Sequence, residues 1–291
     1  MRNFLDAIEA SATTRKAALE LAERLVDNDP YKLTEFEVSF KLKGDRLIEG
    51  ARFLHFDYNL YSCVNPYLFK KRVGLFKDIV TGKVSNKSVA GVFDYLDGIS
   101  KTPVDLYFGC DVNGKQYLFA FWLILAGVNS KKEISVNPNA RAIFKKAVLD
   151  LGLKINMSRK QILNIGFDLG TKEAFLKTYY FYNDSLILNK RFAAILESAK
   201  KLFDGYQYFV FLSDKFNHKS QNVFQKLYFE FLDNASVSNK ESAKMLNLIL
   251  KVCGSPFDAR RLRSIISGTG GRISIIAFGS DSSLTFYIRP C

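Results

Sequence analysis

The chain has 291 residues, 48% of them hydrophobic and 14% aromatic, and 42 Lys and Arg against 29 Asp and Glu give it a formal charge of +13. That much apolar side chain excludes intrinsic disorder. The surplus of cations admits three partners: a nucleic acid, an anionic membrane surface, or a polyanion held in an interior.

Taken in order, the chain opens on a charged segment in which Asp6, Glu9, Arg15 and Lys16 interrupt any signal-peptide core. Five pairs of period-two segments follow. They run Glu35 to Leu42 with Ala51 to Tyr61, Val104 to Val112 with Lys115 to Ala126, Ile162 to Leu169 with Ala174 to Tyr182, Tyr206 to Phe216 with Asn222 to Leu232, and Arg272 to Gly279 with Ser283 to Arg289. Each is rich in Phe, Tyr, Val and Ile and is broken by Gly, Asn, Asp or Ser, the composition of an antiparallel hairpin. The intervals read as helices, so two strands alternate with two helices in a repeat of about 50–65 residues. A lone hairpin cannot bury its apolar face. The expected fold is therefore α+β: a closed ten-stranded antiparallel β-barrel of five hairpins surrounded by α-helices. No Pro-, Gly- or Ser-rich linker divides the chain, so residues 1–291 are expected to form one domain.

The longest uncharged run, Tyr117 to Val128, is too short for a helical membrane span. A cytoplasmic monomer is the expectation. Cys63, Cys110, Cys253 and Cys291 form no CxxC pair, and His55 and His218 lack the spacing of a helical metal pair. Asp94-Tyr95-Leu96-Asp97 lacks the adjacent aspartates of a magnesium-binding DDxxD, and neither GxxxxGK nor GxSxG occurs. No metal and no cofactor are expected. Gly268-Thr269-Gly270-Gly271-Arg272 reads as a connection between a helix and the last hairpin, and Arg260-Arg261-Leu262-Arg263 as the basic face of that helix, with Leu262, Ile265 and Ile266 inward.

Some basic residues sit where solvation explains them poorly. Lys177 shares a strand face with Tyr179, Lys226 with Tyr228, and Arg289 with Thr285 and Tyr287, because side chains alternate across a strand. In the last hairpin the opposite face, Leu284, Phe286 and Ile288, is apolar and should pack under the helices. The polar set then points into the barrel, although a solvent-facing sheet would alternate in the same way. Cations converging on one axis repel unless an anion lies between them. A diphosphate fits: ammonium and guanidinium groups give it charge-assisted hydrogen bonds, and aromatic faces shield the allyl cation left when it departs. On the first strand Glu37 lies opposite Phe36, Val38 and Phe40, on the face of Glu35, Ser39 and Lys41. There it reads either as a general base or as an ordinary strand carboxylate, exposed or paired with Arg52. Arg52 begins Arg-Phe-Leu-His-Phe-Asp-Tyr, where both faces are mixed and the direction stays open.

Together these residues resemble the aromatic prenyltransferases of the αββα barrel class, and the dimethylallyltryptophan synthase-like indole branch in particular. Phe36-Glu37-Val38-Ser39-Phe40-Lys41 is similar to that branch's first-strand Glu-x-Ser motif, and Arg52 stands where its diphosphate-binding Arg would be. Leu176-Lys177-Thr178-Tyr179 looks like its Lys-x-Tyr, which Lys226 and Tyr228 repeat, and Tyr287 stands in the last hairpin's share of the tyrosine shield. The resemblance implies metal-free transfer of a prenyl group, dimethylallyl or longer, from an allylic diphosphate to an aromatic small molecule, in secondary metabolism. Glu37 would be the acceptor's base, Arg52, Lys177, Lys226 and Arg289 the diphosphate ligands, and Tyr179, Tyr228 and Tyr287 the cation shield. The second hairpin departs from the pattern, with no Lys-x-Tyr and only Lys115 or Tyr117 as substitutes. The rival class is a basic, aromatic-rich β protein that binds single-stranded nucleic acid; a third is a barrel that binds ligand without chemistry. The first rival needs these residues in an exposed groove, whereas transfer needs them inside a closed barrel.

Overall fold

The computed structural model describes the chain apart from residues 34, 56–64, 85–86, 102–103, 129–133, 156–161, 172–173, 183–185, 232–238 and 291. Helices α1 (Arg2–Ala7) and α2 (Ala12–Asn28) precede the first hairpin, β1 (Phe36–Lys43) and β2 (Arg46–His55). Then come α3 (Pro66–Thr81), α4 (Lys87–Gly98) and the second hairpin, β3 (Asp105–Asn113) and β4 (Gln116–Ile124). A two-stranded ladder, β5 (Ala126–Val128) and β6 (Ile134–Val136), leads to α5 (Ala140–Asp150) and the third hairpin, β7 (Ile162–Leu169) and β8 (Ala174–Phe181). Helix α6 (Lys190–Leu202) leads to β9 (Tyr208–Phe216) and β10 (Asn222–Phe231). Helices α7 (Asn239–Cys253) and α8 (Ala259–Gly268) lead to β11 (Gly271–Gly279) and β12 (Ser283–Pro290).

The five long hairpins close into one antiparallel barrel in the order β1-β12-β11-β10-β9-β8-β7-β4-β3-β2. This is the fold class that the alternating pattern predicts. The rhythm is less regular than the repeat implies: among the described residues α5 and α6 each stand singly before their hairpins. Part of the interval before α5 is taken by β5 and β6, three-residue strands too short to show a period. Strand β2 starts five residues before the predicted Ala51, and the predicted stretch 56–61 lies outside the described residues, as does Leu232. No helix among the described residues is long and apolar enough to cross a membrane.

Helix ends follow local rules. Ser11 accepts from Thr14 N, Asn65 from Tyr67 N with Pro66 opening the first turn, and Asn189 from Phe192 N. The outward face of each strand then meets the helices: Phe40, Phe108, Phe119, Phe121, Phe167 and Phe229 are all fully buried. Each such ring contributes about 1.5–3 kcal/mol relative to exposure. Leu262 and Ile265 of α8 are buried as the pattern predicts, and Ile266 is half-buried against the same core.

One outer-wall cluster is polar. His55 points away from the lumen, with Nδ1 3.4 Å from Asp29 Oδ2 and Nε2 3.0 Å from Leu33 O. Arg72 Nη2 lies 3.0 Å from the same Asp29 oxygen, and Arg72 Nη1 donates to Leu106 O at 2.6 Å. All three side chains are fully buried. This explains the mixed faces of the second strand: His55 is an outer-wall residue that pairs instead of an apolar one. Burial lowers its basicity and favours the neutral ring.

Candidate active site inside the barrel

Strand register assigns the inward residues. Ser39 faces Arg52 on β2 and Tyr287 on β12; Arg52 faces Asp111 on β3; Gly166 on β7 faces Trp122 on β4 and Lys177 on β8. Lys177 faces Lys215 on β9, and Tyr228 on β10 faces Phe211 and Ala277. The lumen thus takes Lys41, Arg52, Lys177, Lys215 and Lys226 toward the hairpin turns. Tyr179, Tyr228, Tyr287, Trp122 and Phe211 occupy the middle, and Glu37, Glu230 and Arg289 lie toward the helical connections.

At the turn end, four of the five cations have carboxylate partners. Asp168 lies between Lys177 Nζ at 2.5 Å and Lys215 Nζ at 2.9 Å. Burial alone would raise its carboxyl, but the two ammonium groups hold it at about 2. Arg52 Nε lies 2.6 Å from Asp111 Oδ2. Gly50, at φ +128°, makes room for that pair, since a Cβ there would stand 2.5 Å from Asp111 Oδ1. Lys41 reaches Asp281 Oδ2 at 3.3 Å. The fifth cation differs. Lys226 Nζ donates to Thr285 Oγ1 at 3.2 Å and has no carboxylate partner among the described residues. Burial, then the charges of Lys41, Lys177 and Arg52, press its ammonium down to about 7. An ammonium enclosed among cations is costly unless an anion joins it.

The middle of the lumen is aromatic. Phe211 stacks on Tyr228 at 4.5 Å and 7°, and Tyr228 lies 5.9 Å from Tyr179 and 6.3 Å from Tyr287. Trp122 Nε1 donates to Tyr179 Oη at 2.8 Å, and Ser213 Oγ to Tyr228 Oη at 3.3 Å. Burial raises all three phenols, so they stay neutral. Lys226 Nζ stands 5.9 Å from the Tyr228 ring centre and 6.0 Å from that of Tyr287, so the rings touch the edge of the cationic end. Trp122 lies across Gly109 and Gly166 of the flanking strands. A Cβ on Gly109 would meet its ring at 2.6 Å and one on Gly166 at 3.3 Å.

At the other end Glu37 is almost wholly buried. The register shift between Ile273 and Ile275 brings Ser274 to it, with Oγ donating to Glu37 Oε2 at 2.8 Å. Arg289 Nε lies 3.4 Å from the same oxygen, and Arg289 Nη2 3.0 Å from Glu230 Oε1.

All eight site residues expected from the sequence therefore face one lumen, but not one depth. Arg52, Lys177 and Lys226 gather at the turn end. Arg289 stands at the opposite end with Glu37, beyond the tyrosine layer. Lys115 is exposed at a turn, and Tyr117 points outward to stack on Phe119 at 5.6 Å, so neither substitutes for a Lys-x-Tyr. Trp122, Phe211 and Ser274 join the lumen beyond the expected set, and so do five charged residues. Lys41 was visible on the face of Glu37 and Ser39 and was given no role; Lys215 alternates with Ser213 and Phe211 but sits beside Asp214, which blurs the pattern. Asp111, Asp168 and Glu230 had no signal, because a carboxylate that balances a lysine across strands leaves no local spacing.

No protein-family model matches the chain, and no curated protein matches it in sequence. Solved structures do match. The prenyltransferase PriB, in a ternary complex with L-tryptophan and dimethylallyl thiolodiphosphate, superposes with a TM-score of 0.68 at 11% identity, over 99% of this chain and 93% of that one. The fold is that of the αββα prenyltransferase barrel. NotF prenyltransferase gives a TM-score of 0.67 at 11% identity, over 99% of this chain and 91% of its own. AnaPT from Neosartorya fischeri gives 0.53 at 12%, over 88% and 78%. The resemblance drawn from the residues thus holds at the level of fold.

Proposed function

We propose that this chain is a transferase that moves a prenyl group from an allylic diphosphate to an aromatic acceptor without a metal ion. The observation that carries this is Lys226, an ammonium without a carboxylate partner among the described residues, set between further cations and a tyrosine layer. Diphosphate would lie among Lys41, Arg52, Lys177, Lys215 and Lys226, which supply the charge a metal would otherwise bring. Asp111 and Asp168 are already engaged by these cations. PriB has been solved with product diphosphate, and NotF with brevianamide F and dimethylallyl thiolodiphosphate, which supports an allylic diphosphate donor and an aromatic acceptor here.

In the reaction the allylic carbon–oxygen bond breaks and its electron pair leaves on diphosphate. Tyr179, Tyr228 and Tyr287 face the allyl cation with their ring planes and limit its access to water. The acceptor ring forms the new carbon–carbon bond and loses a proton to Glu37, which Ser274 and Arg289 hold in place. Arg289 is a positioning group for Glu37 in this reading, since the tyrosine layer separates it from the lysines. The cations that admitted a nucleic-acid reading line a closed lumen instead of an exposed groove, which favours a small-molecule donor and acceptor.

The test is to incubate the protein, in excess EDTA, with dimethylallyl, geranyl and farnesyl diphosphates and a panel of indoles, phenols and naphthalenes. A product heavier by one prenyl group is expected. Absence of product with every pair overturns the reading, and product only after magnesium is restored overturns its metal-free part.

A further inference from the structure

The helix end of the lumen holds a carboxylate that proton transfer does not require. Glu230 faces inward between Phe209 and Ile275. Its Oε1 receives Arg289 Nη2 at 3.0 Å, and its other oxygen has no protein donor among the described residues. Arg289 also serves Glu37, so one guanidinium stands between two carboxylates. Glu230 is only half-buried, so its remaining oxygen is open to a cation or donor that enters the lumen, and sharing one guanidinium puts pressure on both carboxylates. The pressure is visible in Glu230 itself, whose carboxyl is raised by burial and by Glu37 despite Arg289.

We propose that Glu230 and Glu37 form the acceptor's subsite and select an aromatic acceptor whose side chain carries an ammonium group and no carboxylate. This rests on the transfer reading above. An ammonium brings three donors and a positive charge to the oxygen left open on Glu230. It is also repelled by the lysines of the turn end, so the acceptor can enter in only one sense, with its ring against the tyrosine layer. A carboxylate-bearing acceptor would meet two like charges, and the guanidinium that would receive it is already shared between them.

The test is calorimetric titration of the protein, saturated with dimethylallyl thiolodiphosphate, with tryptamine, tryptophan and indole-3-propionate. Tryptamine is expected to bind at least tenfold more tightly than either carboxylate. In Glu230→Gln that advantage should shrink to within threefold, with thiolodiphosphate affinity unchanged. Equal or reversed affinities, no binding of tryptamine, or an advantage that survives Glu230→Gln would each overturn the proposal, and the ligand series does so without any variant. Selective binding of tryptamine without prenylated product from dimethylallyl, geranyl or farnesyl diphosphate would overturn the transfer reading alone. Transfer with no charge preference would overturn this inference alone.

Discussion

The two ends of the lumen solve opposite problems with the same materials. At the turn end Lys41 and Arg52 each have an aspartate and Lys177 and Lys215 share Asp168, whereas Lys226 has no carboxylate partner among the described residues. At the helix end Glu37 and Glu230 share Arg289. Cations outnumber carboxylates at the one end, and at the other Arg289 lies between two carboxylates with Arg272 exposed beside it at the rim; neutral phenols stand between the ends. The difference shows how a single barrel keeps a leaving anion and a proton acceptor apart: inward positions of the same strands carry opposite charge at different depths.

The largest effect that would break this comparison lies at the helix end. Glu37→Gln should lower turnover by roughly 10²- to 10⁴-fold, the usual worth of a placed general base, while calorimetric affinity for a diphosphate analogue stays unchanged. Full turnover would remove the base from the mechanism, and loss of diphosphate affinity would show that the two ends are not separate.

At the turn end, Lys226→Ala should weaken diphosphate binding by about 10- to 150-fold, the equivalent of the roughly 1.5–3 kcal/mol of a hydrogen bond to a charged group. Lys177→Ala should also weaken it, but with a second signature. Removing Lys177 leaves Asp168 with Lys215 alone, so thermal stability should fall, whereas removing the unpaired Lys226 should leave the melting temperature equal or higher. A large loss of stability in Lys226→Ala and none in Lys177→Ala would invert the assignment.

The unpaired lysine also predicts a pH dependence. Its free-state value of about 7 lies below the ordinary lysine range, so above pH 7 much of it is neutral and diphosphate must bring a proton with it. Phosphate groups are fully ionised there, their last step lying near 6. Affinity should therefore fall as pH rises from 7 to 9, by at most about tenfold per unit. Titrations in buffers of different ionisation enthalpy should show proton uptake. A flat profile with no uptake would mean that Lys226 is charged before the anion arrives.

The smallest effect sharpens the geometry. Gly50→Ala meets Asp111 and a φ of +128° that alanine rarely adopts, costing about 1–3 kcal/mol of stability. Diphosphate affinity should change only a few-fold, because Arg52 is one cation among five. A change as large as that of Lys226→Ala would give the Arg52–Asp111 pair a greater part than its position implies.

The barrel was legible because its outer face is apolar at most alternate residues, and Leu284, Phe286 and Ile288 declare that face without help from the rest of the chain. Faces were legible for the same reason: Lys177 with Tyr179 and Lys226 with Tyr228 do look inward. Depth was not. Thr285 and Arg289 share a face, but four residues of strand carry the chain about 13 Å along the wall, which takes Arg289 from the lysines to Glu37. The balancing aspartates were hidden because Asp168 meets Lys215 through the fold, from strands far apart in sequence. His55 confused the second strand because a buried ion cluster, like a lumen, places polar groups on a strand face.

The packing of Trp122 has a practical consequence. It is the chain's one tryptophan, held across two glycines, with its ring nitrogen on Tyr179 and Lys177 Nζ 5.5 Å above its ring. Indole emission responds to nearby charge and to the exclusion of water. The chain thus carries a single indole, excitable apart from its 14 tyrosines, where donor and acceptor would meet, and filling of the lumen can be followed optically without a label.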